Sequence, residues 1–80
     1  MNEVLFPMMT GDATEPGVLA TWHVADGEMV AEKQLLAEIA INKIDAEIYA
    51  PAAGTVRLRV AEGDEVQQGS VIVSIEWPNP

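Results

Sequence analysis

Lys43 stands in Ile41-Asn42-Lys43-Ile44, between two runs of strand character, Leu35-Leu36-Ala37-Glu38-Ile39 and Glu47-Ile48-Tyr49-Ala50-Pro51. An amine held out at such a hairpin tip is a nucleophile on a flexible four-carbon stem, and acylation turns it into a stable amide without charge. In most proteins a lysine at a tip is only a solvated charge, so its surroundings decide. Lys33, the only other lysine, falls in the Ala31-Glu32-Lys33-Gln34 turn and reads as surface. Glu38, Asp45 and Glu47 lie around the tip on alternating strand positions with no pocket implied to raise a pKa, which reads as a solvated acidic face rather than a catalytic pair. His23 has no second ligand near it in sequence and makes no metal site. The chain has no cysteine, which excludes a thiolate nucleophile, a thiolate metal site and a disulfide framework.

The elements that must position the lysine are short strands. Glu3-Val4-Leu5-Phe6 is stopped by Pro7, and Met8 to Glu15 reads as a loop. Pro16-Gly17 is a turn signal. Val18 to Val24 follows as a strand, with Val18, Ala20, Trp22 and Val24 on one face and Thr21 and His23 on the other. Asp26-Gly27 is a tight-hairpin pair, Val30 is a lone buried anchor, and Leu35 to Ile39 leads to the lysine. After the Pro51-Ala52-Ala53-Gly54 turn, Val56-Arg57-Leu58-Arg59-Val60 alternates with both arginines outward.

A repeat runs through this order. Val24-Ala25-Asp26-Gly27-Glu28-Met29-Val30 matches Val60-Ala61-Glu62-Gly63-Asp64-Glu65-Val66 at an offset of 36, as from Gly27 to Gly63. The same offset carries Leu35, Leu36, Ala37 and Ile39 onto Val71, Ile72, Val73 and Ile75. Glu3-Val4-Leu5-Phe6-Pro7 resembles Glu47-Ile48-Tyr49-Ala50-Pro51 at an offset of 44, and the difference of 8 is an insertion placed in the Met8–Glu15 loop. Two copies of about four strands without helical periodicity predict an all-β flattened barrel of two four-stranded sheets related by a pseudo-two-fold axis. The Ile41–Ile44 tip then corresponds to residues 77–80 and lies opposite the chain termini. Residues 1–76 read as one domain, and Trp77-Pro78-Asn79-Pro80 as a C-terminal tail or the start of a linker.

Thirteen acidic residues against four basic ones leave no cationic surface for nucleic acid or anionic lipid. No apolar stretch spans a bilayer and no signal-like segment begins the chain, so a cytoplasmic domain, monomeric when isolated, is the expectation.

From Gly17 to Ile75 the pattern resembles the lipoyl domains of 2-oxo-acid dehydrogenase complexes, within the wider biotinyl/lipoyl attachment family. The resemblance is carried by Trp22-His23-Val24, Asp26-Gly27, Leu36-Ala37-Glu38-Ile39, Lys43, Glu47-Ile48, Ala50-Pro51-Ala52-Ala53-Gly54, and Glu62-Gly63-Asp64 with Val66 and Gly69. It implies a barrel-sandwich hybrid and covalent lipoate on Lys43. Lipoyl domains typically read Thr-Asp-Lys-Ala at the tip, where this chain has Ile41-Asn42-Lys43-Ile44. Asn42 keeps the shape of aspartate and tolerates left-handed conformations, but one negative charge is gone. Biotin carriers flank the lysine with methionine, which neither Asn42 nor Ile44 is, although Ile44 is bulky and apolar. The two isoleucines either sit against the arm or hold the turn.

The resemblance further implies a non-catalytic carrier whose lipoyl-lysine swinging arm is acylated by a thiamine-diphosphate-dependent enzyme, unloaded by an acyltransferase core and reoxidised by a flavin dihydrolipoamide dehydrogenase, after loading by a lipoate-attaching enzyme. Asp45 and Glu47 are candidate recognition residues. Met8 and Met9 either pack over an edge or join these recognition residues, since the corresponding loop of lipoyl domains lies beside the lysine turn and helps partners tell domains apart. A biotin carrier of a carboxylase or decarboxylase is the alternative, and an unmodified interaction domain of the same fold is a third.

Overall fold

Short apolar-polar alternations broken by Gly, Pro and Asp pairs give eight strands in the computed structural model, which describes residues 2–12 and 14–76. They are β1 (Asn2–Leu5), β2 (Pro16–Trp22), β3 (Met29–Val30), β4 (Leu35–Ile41), β5 (Ile44–Tyr49), β6 (Gly54–Leu58), β7 (Glu65–Gln67) and β8 (Val71–Glu76). One antiparallel sheet has the order β1-β8-β6-β3 and the other β5-β4-β2-β7. This is the expected flattened barrel of two four-stranded sheets, and its long dimension is 41 Å against 18 Å in the other two. No helix of the described residues is long and apolar enough to cross a membrane. The tail read at residues 77–80, which is also the repeat counterpart of the lysine tip, lies outside the described residues.

Between the sheets Phe6, Leu19, Leu36, Ile39, Val56, Ile72, Val73 and Ile75 are fully or almost fully buried. That contiguous apolar core supplies the driving force for a chain this small. Trp22 packs at its margin and donates from Nε1 to the Val60 carbonyl at 3.1 Å. Ser74, buried in β8 opposite Glu3 and Arg57, accepts from Arg59 Nε at 3.0 Å, which satisfies its hydroxyl.

The repeat is written into the backbone. Gly27 and Gly63 take φ of 87° and 91°, and Lys33 takes 71° where its counterpart Gly69 takes 88°. Lys33 N–H donates to the Ala50 carbonyl and Gly69 N–H to the Phe6 carbonyl, both at 2.7 Å. Bulges at Leu36 in β4 and Ile72 in β8 are likewise matched.

Three local readings are corrected. First, β2 pairs Leu19 with Ile39 and Thr21 with Glu38, so Ala20 is an unpaired bulge. Leu19 therefore points inward while Val18 and Ala20 are exposed, and the alternation resumes in the expected phase only from Thr21 and Trp22 onward. One extra residue flips every side chain on one side of it. The repeat offset before the bulge is consequently 37, with Gly17 matching Gly54 in pairing to Val66 and Val30 respectively. Seven of the eight extra residues thus lie between Pro7 and Gly17, and the eighth is Ala20.

Second, Pro16-Gly17 opens β2 instead of making a turn. Proline is tolerated at a strand's first position, and Gly17 is required because a Cβ there would stand 2.2 Å from Phe6 Cζ. Third, Asp26-Gly27 sits in a β-turn closed by Glu28 N–H to the Ala25 carbonyl at 3.0 Å, but it joins no hairpin. β2 and β3 belong to different sheets, and Asp26 Oδ1 accepts from Leu58 N–H at 2.9 Å to fix the crossing.

Candidate functional site

The β4–β5 hairpin is closed by Asn42 and Lys43 alone, with Ile41 directly opposite Ile44. Asn42 takes φ of 56° while Lys43 does not take positive φ, so the first of the two turn residues alone carries the positive-φ backbone. Asparagine is one of the few side chains that accept this conformation without a large penalty.

The two isoleucines divide the roles left open for them. Ile41 is 2% exposed and roots the turn in the core, whereas Ile44 is 49% exposed beside the lysine. Lys43 is exposed, and its ammonium has no ion pair or side-chain hydrogen bond among the described residues. Nothing has to be broken for an acylating enzyme to take it.

Strand register places this tip. β2 begins next to it, since Val18 pairs with Ala40, and the Pro16 end of β2 pairs with Gln67 of β7. From the tip, β5 runs away to Tyr49 and the chain re-enters at Gly54, beside Thr55, which pairs with Glu76. Asn2 pairs with Ile75. Residues 2 and 76 therefore lie at the end opposite Lys43.

Asp45 and Glu47 are exposed on the outer face of β5, opposite Ala40 and Glu38 respectively, and with Ala46 they border a shallow acidic depression. Two further groups tie this face down: His23, read in the sequence as an outward residue that makes no metal site, and Tyr49, which the sequence did not single out. His23 Nε2 lies 2.7 Å from Glu38 Oε2, and the Tyr49 hydroxyl donates to Glu47 Oε1. That donation, with some desolvation and the Glu47 charge, raises the Tyr49 pKa above its ordinary value. The face remains open to water, and no group of three or more metal-ligating side chains occurs among the described residues.

Met8 and Met9 part company. Met8 is 57% exposed, while Met9 packs against the core. The loop they begin joins the end of β1 to the start of β2, both at the lysine end of the barrel. Gln68, only 8% exposed, holds this loop through both ends of its amide. The sequence carried a signal for it that went unused: the repeat counterpart of Gln68 is Glu32, and the copy with no insertion opposite it has an exposed carboxylate there.

Comparison with known proteins matches residues 2–75 to a biotin/lipoyl family described as "Biotin-requiring enzyme". The chain is 36% identical over 70 residues to the dihydrolipoyllysine-residue acetyltransferase component of the pyruvate dehydrogenase complex of Staphylococcus aureus (strain Mu50), covering 86% of this chain and 16% of that protein. The component of the same name from Acholeplasma laidlawii is 33% identical over 67 residues, covering 82% and 12%. The chain thus spans less than a fifth of these relatives. The solution structure of the lipoyl domain of the 2-oxoglutarate dehydrogenase complex from Azotobacter vinelandii superimposes with a TM-score of 0.78 at 28% identity, covering 92% of this chain and 94% of that one.

Proposed function

Because the chain belongs to the biotin/lipoyl attachment family, we propose that it is a lipoyl carrier domain with Lys43 as its single attachment residue. The observation that carries this reading is the unpaired, exposed amine of Lys43 on a two-residue turn at the end of the barrel away from residues 2 and 76. The neutral ε-amine attacks the carboxyl carbon of a lipoate that the attaching enzyme has activated, the bond to the activating group breaks and that group leaves with its electron pair, and loss of a proton from nitrogen gives an uncharged amide. Ile41 and Asn42 fix where the arm begins, and exposed Ile44 offers the arm's hydrocarbon an apolar neighbour. Lipoate bound there supplies a disulfide that takes up acyl groups and electrons, chemistry for which this cysteine-free chain has no group of its own.

In this role the domain presents a substrate and catalyses nothing. A lipoate-attaching enzyme loads it, a thiamine-diphosphate-dependent enzyme acylates the arm, an acyltransferase unloads it and a flavin dehydrogenase reoxidises it. The relatives named for a pyruvate dehydrogenase complex support such an assembly. Asp45, Glu47 and Met8 are the side chains such partners read, and their exposure around the lysine end is what supports it. Met9, packed inward, serves the loop's shape.

The test is intact mass after coexpression with lipoate-attaching or biotin-attaching enzymes. One lipoyl group is expected on the wild type and on Lys33→Arg, and none on Lys43→Arg. Biotin in its place, or no addition with either enzyme, would overturn the assignment.

A further inference from the structure

Gln68 follows β7 and is buried although its side chain is polar. Its Oε1 accepts from the backbone N–H of Met9 at 2.7 Å and of Thr10 at 3.1 Å. Its Nε2 donates to the carbonyls of Asp12 at 2.9 Å and Glu15 at 3.0 Å, and lies 3.2 Å from Thr10 Oγ1. The amide orientation is fixed by these partners, because a flip would set an NH2 against two N–H donors and an oxygen against two carbonyls.

One side chain, some 53 to 59 residues away in sequence, thereby holds two backbone N–H groups and two carbonyls of a loop that belongs to no sheet. The fold contains its own control. Glu32 holds the equivalent place in the first copy, where the facing segment is the short Pro51–Gly54 turn, and Glu32 is exposed. The buried amide occurs only where the seven-residue insertion needs an anchor.

We propose that Gln68 is a positioning residue for partner recognition: it holds the Met9, Thr10, Asp12 and Glu15 backbone in one shape at the lysine end, so that exposed Met8 and the loop are presented ready-made to the enzyme that acylates the arm. The inference rests on the carrier reading of Lys43. A preordered loop costs the partner no ordering entropy on docking, so loss of the anchor weakens docking and leaves the chemistry at the arm unchanged.

Gln68→Leu keeps the volume and removes both halves of the anchor. Gln68→Glu keeps the acceptor for Met9 and Thr10 but turns the donor half into an oxygen facing two carbonyls. Amide hydrogen exchange is measured on each unmodified variant, and KM and kcat are measured for acylation of the lipoylated forms by the thiamine-diphosphate-dependent component of a pyruvate dehydrogenase complex. With Gln68→Leu, exchange at Met9 and Thr10 accelerates at least about tenfold while the amides of Ile39 and Val73 are unchanged, and KM rises on the order of tenfold at constant kcat. Gln68→Glu gives an intermediate KM, and Glu32→Gln changes nothing.

Unchanged exchange at Met9 and Thr10 overturns the inference, and so does a loosened loop with unchanged KM. Core exchange that accelerates in parallel with the loop would make the role structural only and overturn it as well. Failure of the wild type to take lipoate would remove the carrier assignment instead, a result told apart because loop exchange is read on unmodified protein.

Discussion

At the scale of single residues, the tip depends on one backbone conformation and on one exposed amine that has no side-chain partner among the described residues. Replacing Asn42 with valine forces a β-branched residue into positive φ and is expected to cost about 1–2 kcal/mol, while glycine there is close to neutral; urea unfolding midpoints at constant slope check both. Tyr49 is the only tyrosine in the chain, so tyrosinate absorbance reports it alone. Its folded pKa lies above 10.0 because the phenol donates to Glu47, and Glu47→Gln should bring the midpoint down. Since the folded value is raised, this contact stabilises the fold below pH 10.0 and is lost as pH climbs through the folded value. Asp12 behaves oppositely. Its carboxylate accepts from the Thr14 hydroxyl and Thr14 N–H, which lowers its folded pKa from 3.8. Its contribution is therefore present above pH 3.8 and fades as acid protonates it. Asp12→Asn should destabilise the domain near neutrality and leave it unaffected in strong acid, as thermal melts at the two conditions would show.

At the scale of elements, much was legible because a period of two and a period of 36 are both visible without coordinates. The strand leading to Lys43, the outward arginines 57 and 59 and the placing of the tip all follow from them. The Ala20 bulge did not show, because Val18 and Leu19 are both aliphatic and either suits a buried position; only the register with Ile39 and Ala40 decides between them. Gln68 escaped for a similar reason, since a glutamine before a turn usually faces water and its burial exists only once the loop folds over it. The bulge gives a direct test. Leu19→Ala should cost roughly 2–5 kcal/mol, and Val18→Thr should stay within about 0.5 kcal/mol; equal losses at the two positions would contradict the register.

At the scale of the whole molecule, the two copies form a rod with a long dimension of 41 Å, and the strand register sets Lys43 at one end of the barrel and residues 2 and 76 at the other. Asn2 and Glu76 lie close enough in the β1–β8 pair for a short linker, so a circular permutant joined there and opened in the Ala61–Asp64 turn should fold and still be lipoylated. Loss of Lys43 modification in a permutant that keeps its β-sheet spectrum would show that the attaching enzyme reads more than the lysine end. The length of the rod also sets a search volume. In a longer chain tethered through residue 2 or 76, the base of the arm travels on a shell whose radius is the tether plus the length of barrel between those residues and Lys43. Effective concentration at any one active site falls steeply with that radius while the number of active sites within reach grows. The position of Lys43 thus favours serving many sites in turn over dwelling at one.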